Sequence, residues 1–198
     1  MNLNALILFT YILSNVLIGK ENLEEILQEN PVLIKVIQEE YPKCSAEIFI
    51  DSSIEEILKV IEDVSNYRLF FDSIFISEIN AEDEVHLAID IPFPFSNRDY
   101  TVKFNRNENN YEVNYLYESI ISNDFIVHND YVRLTDAKGG WVISKIKDSK
   151  GFLVIYIWNG DMRGGFPNWA YRKAWIKQGN EIMLNLKSEV NRRNNNEN

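Results

Sequence analysis

Hydrophobic positions change their period twice along the chain, and these changes predict its architecture. Residues 21–39 carry apolar side chains at helical spacing on both sides of Pro31, which predicts a short helix, a break and a second short helical segment. The stretch "SAEIFIDSS" alternates and predicts a strand. In "SIEEILKVIEDV", Ser52 or Ser53 is the candidate N-cap of a helix with acidic residues in its first turn and one apolar face.

The middle of the chain has a period of two. Candidate strands, separated by turn sequences such as "NAED" and "DAKGG", are Ile74–Ile79, Glu84–Ile91, Asp99–Asn105, Tyr111–Tyr117, Phe125–Thr135, Gly140–Lys147 and Phe152–Trp158. Parallel neighbours need a crossover of about a dozen residues or more, and these connections are too short. The pattern therefore predicts an antiparallel meander.

The last segment returns to a helical period. Gly165 precedes it and Pro167 lies near its first position, a favoured place for proline. One apolar stripe follows at spacings of three, four or seven residues, formed by Trp169, Ile176, Met183, Leu186 and Val190. The polar residues 193–198 are predicted to be a disordered tail.

These elements predict an α+β fold. A curved antiparallel sheet of about seven to eight strands would grip one long C-terminal helix, with short helices near the N-terminus. The strand Phe152–Trp158 is apolar on both faces. Either the early helices cover the second face, or a single helix leaves part of the curved sheet open as a cavity.

Composition and charge narrow the function. The chain has 198 residues, 45% of them hydrophobic, and a formal net charge of −10, which excludes a mostly disordered chain and argues against a nucleic-acid partner. The single Cys44 excludes an internal disulfide or a multi-cysteine zinc site. Because His86 and His128 lie far apart without spacing partners, we expect no metal and no cofactor.

Residues 1–19 carry no charged side chain. The apolar run Ala5–Ile18 is too short to span a bilayer comfortably and has the length of a secretory signal, with Gly19 as a possible cleavage point. A cleaved signal, an uncleaved anchor and a docked hydrophobic helix all fit. We expect an exported (periplasmic or secreted) or membrane-associated protein, or otherwise a cytoplasmic one, with a single domain over residues 20–192.

Three segments carry a family pattern. The stretch "VIEDVSNYRLFFDSI" contributes Asp63, Val64, Tyr67 and Phe71, and "PFPFSNRDYTVKF" contributes Pro94, Arg98, Asp99, Tyr100 and Val102. The closing pattern, from "GGWVISKI" to "GGFPNWAYRKA", contributes Gly140, Trp141, Tyr156, Gly164 or Gly165, Pro167 and Trp169. In order and spacing these segments resemble the START-like lipid-transfer domains of the helix-grip fold, roughly from Cys44 to Val190.

The resemblance implies binding of a hydrophobic ligand, commonly a sterol, phospholipid or polyketide-like molecule, without covalent chemistry. We also expect a monomer that contacts a membrane surface transiently. The sequence departs from the family at "MRGG" and at the phenylalanines before "SNRD", positions that border the cavity mouth and bear on ligand identity. Ring-bearing residues suit a cavity wall, and two residues of the last helix suit a lid. The candidate ligand-binding residues are Arg98, Tyr115, Tyr117, Trp141, Tyr156, Trp158, Met183 and Leu186.

Two polar groups have alternative roles. Arg98 would pair with a carboxylate or a ligand's polar head, or would form a structural salt bridge at the strand entrance. A cationic and aromatic group at the start of the last helix would dock on an anionic membrane or be a solvated helix face. Its members are Trp169, Arg172, Lys173, Trp175 and Lys177.

An enzyme and a protein-interaction module are the competing functions. Related helix-grip proteins include cyclases and aromatases, which need a group for proton transfer inside the cavity. His86 alternates with Val85 and Leu87, which places it on the outer face if those two face inward. Because no catalytic motif is present, we expect a protein that is not an enzyme. An interaction module would instead present an exposed apolar patch.

Overall fold

The computed structural model describes residues 23–29, 31–37, 43–126 and 129–197. Ten strands form one sheet in the spatial order β1-β2-β3-β10-β9-β7-β6-β5-β4, with β8 beside β6. Their bounds are β1 Leu23–Glu29, β2 Val32–Ile37, β3 Lys43–Ile50, β4 Ile74–Ile79, β5 Glu84–Ile89, β6 Arg98–Glu108, β7 Glu112–Ser119, β8 Val132–Arg133, β9 Lys138–Lys145 and β10 Phe152–Asn159. The pairings along this path are antiparallel, as the short connections predict, and β8 pairs parallel to β6.

The helical interpretation of residues 21–39 is wrong for β1 and β2, which form an antiparallel hairpin. Most apolar residues of β2 are β-branched, which favours a strand. Val32, Ile34 and Val36 occupy alternate positions of β2, so their side chains lie on one face, and all three are buried. Over so few residues, the i, i+4 spacing of a helix and the i, i+2 spacing of a strand can place apolar residues at the same positions, so the pattern does not distinguish them. Pairing with β3 decides between them, because it buries this row against the core.

Two short helical elements follow β3. Helix α1, Ile54–Ile61, begins at Ser53, whose hydroxyl accepts a hydrogen bond from the Glu56 amide while the Glu56 carboxylate accepts one from the Ser53 amide. This capping box confirms one of the two predicted caps. A 3₁₀ helix, Val64–Leu69, then leads to β4.

One predicted strand differs markedly. Of Phe125–Thr135 only Val132–Arg133 is a strand, and residues 127 and 128 lie outside the described part of the chain. Residues 120–126 form a loop instead: the Ile120 amide still donates to the Thr101 carbonyl at 2.8 Å, and the Phe125 ring then lies 5.2 Å from the His86 ring.

The long helix α2, Asn168–Glu197, begins directly after Pro167, as predicted. It continues through residues that the composition predicts to be a disordered tail. Met183, Leu186 and Val190 are fully buried against the inner face of the sheet. The far end is held by Arg193, which donates to the Asp63 carboxylate at 2.7 Å and to the Lys59 carbonyl at 3.1 Å.

The predicted signal or anchor, residues 1–19, lies outside the described residues. In the part of the chain that is described, the search for a helix long and apolar enough to traverse a bilayer finds none.

Candidate ligand-binding site

A small cavity lies between the inner face of the sheet and α2. Three aliphatic side chains line it, Ile74, Leu87 and Ile182, together with seven aromatic ones: Tyr67, Phe71, Tyr100, Phe104, Tyr117, Trp141 and Tyr156. Its volume is about 10 Å³, roughly the space that one water molecule needs. Because ligand pockets usually measure about 300–1,000 Å³, aromatic side chains fill the space that a lipid-sized ligand would occupy.

The rings of the lining form a continuous wall. Trp141 on β9 is 2% exposed, and its ring centroid lies 4.6 Å from that of Tyr156 and 6.1 Å from that of Phe71. Phe71 follows the 3₁₀ helix, so this short element supplies one side of the cavity. Ring pairs at these separations attract each other beyond their buried area. A ligand can therefore enter only if several rings move together.

Hydroxyl groups of the tyrosines and the indole nitrogen of Trp141 are the polar atoms of the lining. The Tyr117 and Tyr156 hydroxyl oxygens are 3.4 Å apart, and the Tyr67 hydroxyl donates to the Ile61 carbonyl. Burial raises the pKa of each of these three phenols. They are consequently neutral hydrogen-bonding groups at physiological pH.

Arg98, at the start of β6, is 1% exposed and bonded to backbone carbonyls. Its Nε donates to the Met162 carbonyl at 2.9 Å, its Nη2 to that of Arg163 at 3.1 Å, and its Nη1 to that of Ser96. Burial lowers its pKa. Among the described residues no carboxylate lies within ion-pair distance, so the predicted salt bridge is wrong, although the guanidinium does hold the strand entrance.

Asp99 points to the opposite face of the sheet, as the neighbour of Arg98 in a strand must. It accepts hydrogen bonds from Arg133 at 2.6 and 2.9 Å and lies 3.0 Å from His86 Nε2. Burial raises the pKa of Asp99, but the bonds from His86 and Arg133 outweigh it and hold that pKa below its ordinary value.

His86 lies on the outer face, as the alternation of β5 predicts, because its neighbour Leu87 lines the cavity. It is nevertheless only 2% exposed, since the loop after β7 places the Phe125 ring 5.2 Å from the imidazole. The sheet separates this histidine from the cavity, so it is out of reach of any molecule bound there.

The cationic and aromatic group at the start of α2 has four exposed members and one buried member. Trp169 is 76% exposed, and Arg172, Lys173 and Lys177 are exposed beside it. Trp175 is buried, with its ring centroid 5.9 Å from that of Trp158, and therefore belongs to the core rather than to this surface.

Neither a family model nor a curated protein matches the chain. A STAR-related lipid transfer protein of Xanthomonas axonopodis gives a TM-score of 0.73 at 20% identity, over 84% of this chain and 98% of that one. Human StAR-related lipid transfer protein 5 gives 0.77 at 11% identity, over 93% of this chain and 94% of its own.

The chain has the START-like helix-grip fold. A Streptomyces aromatase/cyclase shares it at a TM-score of 0.56 and 14% identity, over 76% of this chain and 94% of its own. Lipid-transfer proteins and enzymes thus use the same fold, and the resemblance expected from the three sequence segments is confirmed at this level.

Within the helix-grip fold, the predicted ligand-binding residues occupy different places. Tyr117, Trp141 and Tyr156 line the cavity. The others lie outside its described lining: Tyr115 stacks on Phe104, Trp158 stacks on Tyr156, Arg98 binds the loop before α2, and Met183 and Leu186 are buried between α2 and the sheet.

Several lining residues escaped the sequence analysis as site candidates. Tyr100 and Phe104 alternate with outward positions of β6, so the period of two could have identified them. Tyr67 and Phe71 belong to a 3₁₀ helix and the turn after it, where no periodicity marks the buried side.

One hydrogen bond links α2 to the loop beside the cavity. The Glu181 carboxylate accepts the Ser73 amide at 2.9 Å, and the next residues in sequence, Ile182 and Ile74, both line the cavity. Burial raises the pKa of Glu181, and the nearby charge of Asp72 adds to this effect.

Replacing Glu181 with glutamine is expected to change how stability depends on pH. A raised folded-state pKa stabilises the fold below the unfolded value, near pH 4.3, and this contribution is lost as the pH rises through the folded value. The variant keeps an acceptor for Ser73 but cannot ionise. Its free energy of unfolding should therefore rise relative to wild type between about pH 4 and pH 7, as measured by urea denaturation.

Glu84→Gln is the control of opposite sign. Hydrogen bonds from Ser122 and Asn80 lower the pKa of Glu84, so wild type gains this stabilisation as the pH rises from the lowered value towards the unfolded value near pH 4.3, and the variant should lose stability relative to wild type over that lower range. A Glu181→Gln curve parallel to wild type at every pH would contradict the assignment.

Proposed function

We propose that this protein binds a hydrophobic small molecule between the sheet and α2, without catalysis, and carries it to or from a membrane. Proteins of this fold include lipid-transfer proteins, which supports such a role. The cavity would have to widen when the ligand enters. Residues 1–19 would export the chain or keep it at a membrane.

The observation that carries this proposal is the lining itself. All ten lining side chains are aromatic or aliphatic, and the polar atoms among them are neutral hydroxyls and the indole nitrogen. Sites of this kind bind through apolar surface and use a few polar atoms for orientation. The arrangement favours binding over chemistry.

An aromatase- or cyclase-like activity has less support. Proton transfer needs an acid or base whose pKa lies near the working pH and which can reach the substrate. Burial raises the pKa of Tyr156 and Tyr117, which moves both further from that range. His86, the other candidate, lies on the far face of the sheet.

Native mass spectrometry of the full chain tests the binding function. After incubation with mixed lipid vesicles, we expect an adduct of one lipid-sized molecule per chain, recovered by organic extraction. A mass that remains that of the bare chain under these conditions would contradict lipid carriage.

A surface near the start of α2 supports the membrane step. Phe93 is 97% exposed and Trp169 is 76% exposed. The loop that carries Phe93 meets the residues before α2 where the Phe95 and Phe166 rings lie 4.6 Å apart, and the cations Arg172 and Lys173 are exposed next to Trp169 in α2. Aromatic anchors beside cations suit an anionic membrane surface.

Serine at either aromatic anchor should weaken membrane binding. Moving one such ring from lipid into water costs about 1.5 kcal/mol or more, so Phe93→Ser and Trp169→Ser should each reduce vesicle partitioning about tenfold. Co-sedimentation with vesicles that contain phosphatidylserine measures this.

Tyr111→Ser is the matched control, because Tyr111 is 78% exposed in the turn between β6 and β7. Equal losses for all three variants would argue against a specific docking surface.

A further inference from the structure

We propose that the ligand is a neutral, compact, ring-shaped molecule with one hydroxyl or carbonyl group, which the Tyr117 and Tyr156 hydroxyls bind. This inference rests on the proposed binding function and specifies the chemistry of that same cavity. Fatty acids and lipids that would bring a charged head group into the cavity are excluded by it.

The absence of charge from the described lining is the first reason. Two charged groups near lining residues in sequence are already engaged with the backbone. Arg98 donates to the carbonyls of the loop before α2, and Glu181 accepts the Ser73 amide. A carboxylate or phosphate in this cavity would lose its hydration without gaining a counter-charge, and burying an unpaired charge is strongly unfavourable.

The second reason is the hydroxyl pair. At 3.4 Å the Tyr117 and Tyr156 oxygens are further apart than the usual 2.7–2.8 Å of an O–H···O hydrogen bond, so their mutual bond is weak. Tyr67 differs, because its hydroxyl already donates to Ile61. One ligand oxygen placed between Tyr117 and Tyr156 would give both hydroxyls a better partner.

Close packing keeps the Tyr117 hydroxyl in this position. A Cβ atom on Gly139 would lie 2.7 Å from the Tyr117 oxygen and 2.3 Å from the Ile157 carbonyl oxygen. Only glycine leaves room for the phenol there, which explains a glycine inside β9. The hydroxyl is thus positioned by the backbone of the neighbouring strand.

Ring orientation is the third reason. Phe71 and Trp141 are inclined by only 19°, and Tyr100 and Tyr117 by 21°, with centroids 6.1 and 6.3 Å apart. Flat faces of this kind complement a flat ligand better than a flexible acyl chain. A compact ring also requires the smallest expansion of a cavity that holds about 10 Å³.

Matched probes of one shape test this inference on the full chain. Three probes share the naphthalene ring: 2-naphthol carries a hydroxyl group, naphthalene has no polar group, and 2-naphthoate carries a negative charge. Palmitate is the acyl-chain probe. Isothermal titration calorimetry should give 2-naphthol the highest affinity and naphthalene a lower one. No binding of 2-naphthoate or palmitate should be detected.

Hydroxyl deletion then locates the polar contact. Tyr117→Phe and Tyr156→Phe should each weaken 2-naphthol binding about fivefold, the usual effect of one neutral hydrogen bond, and leave naphthalene unchanged. Tyr111→Phe, at an exposed tyrosine, should change neither. Equal losses for naphthol and naphthalene would overturn the hydroxyl assignment.

Failure of the inference and failure of the function are distinguishable. Tight binding of palmitate or 2-naphthoate would overturn the neutral-ligand inference while the binding function stands. If no probe binds and no lipid is retained in native mass spectrometry, both are overturned.

Discussion

Replacing Arg98 with leucine is expected to destabilise the protein by about 3 kcal/mol. Leucine keeps much of the apolar bulk but removes the donors for the carbonyls of Ser96, Met162 and Arg163. A buried carbonyl without a donor costs about 1–3 kcal/mol, which the loss of a desolvated charge offsets only in part. Urea denaturation measures the change.

The loop that Arg98 holds increases this effect. Arg163, Gly164 and Gly165 have φ values of 51°, 59° and 69°, a left-handed conformation that is unfavourable for the arginine. Its hydrogen bond to Arg98 helps to maintain this backbone directly before α2. Without the guanidinium, the start of α2 should also exchange its amide hydrogens faster.

Arg68→Leu is the control, because Arg68 is an exposed arginine on the 3₁₀ helix and should change stability by no more than about 0.5 kcal/mol. Arg98→Lys should recover only part of the loss, since one ammonium group cannot reproduce the fork of a guanidinium. An Arg98→Leu variant as stable as wild type would show that the carbonyls find other partners.

Replacing Trp141 with alanine is expected to cost about 3–5 kcal/mol and to lower the melting temperature by roughly 10 °C. Trp141 is 2% exposed and packs against Tyr156 and Phe71, so its removal leaves a void in the wall of rings. A void of this size, lined mainly by rings, has room for a small aromatic molecule.

Added indole should therefore raise the melting temperature of Trp141→Ala in a concentration-dependent way. Trp169→Ala is the matched control: this tryptophan is 76% exposed, and its loss should change stability by less than about 0.5 kcal/mol with no response to indole. Failure of indole to rescue Trp141→Ala would show that the rings collapse into the void.

Local patterns predicted most elements, with two exceptions. The period of two identified β4 with its observed bounds, and proline and spacing placed the start of α2. Residues 23–37 were misassigned because their pattern fits a helix and a strand equally over so few residues, and pairing with β3 decides. Phe125–Thr135 was misassigned because the Phe125 ring packs against His86 instead of joining the sheet, and only Val132–Arg133 pairs with β6.

The sequence by itself determined the α+β class, the antiparallel sheet and the long last helix, because binary patterning and turn residues act locally. Only the tertiary structure decided that Arg98 binds carbonyls and that Asp99 binds His86 and Arg133. It alone decided that aromatic rings reduce the cavity to about 10 Å³, because the free volume depends on how side chains from distant segments pack together.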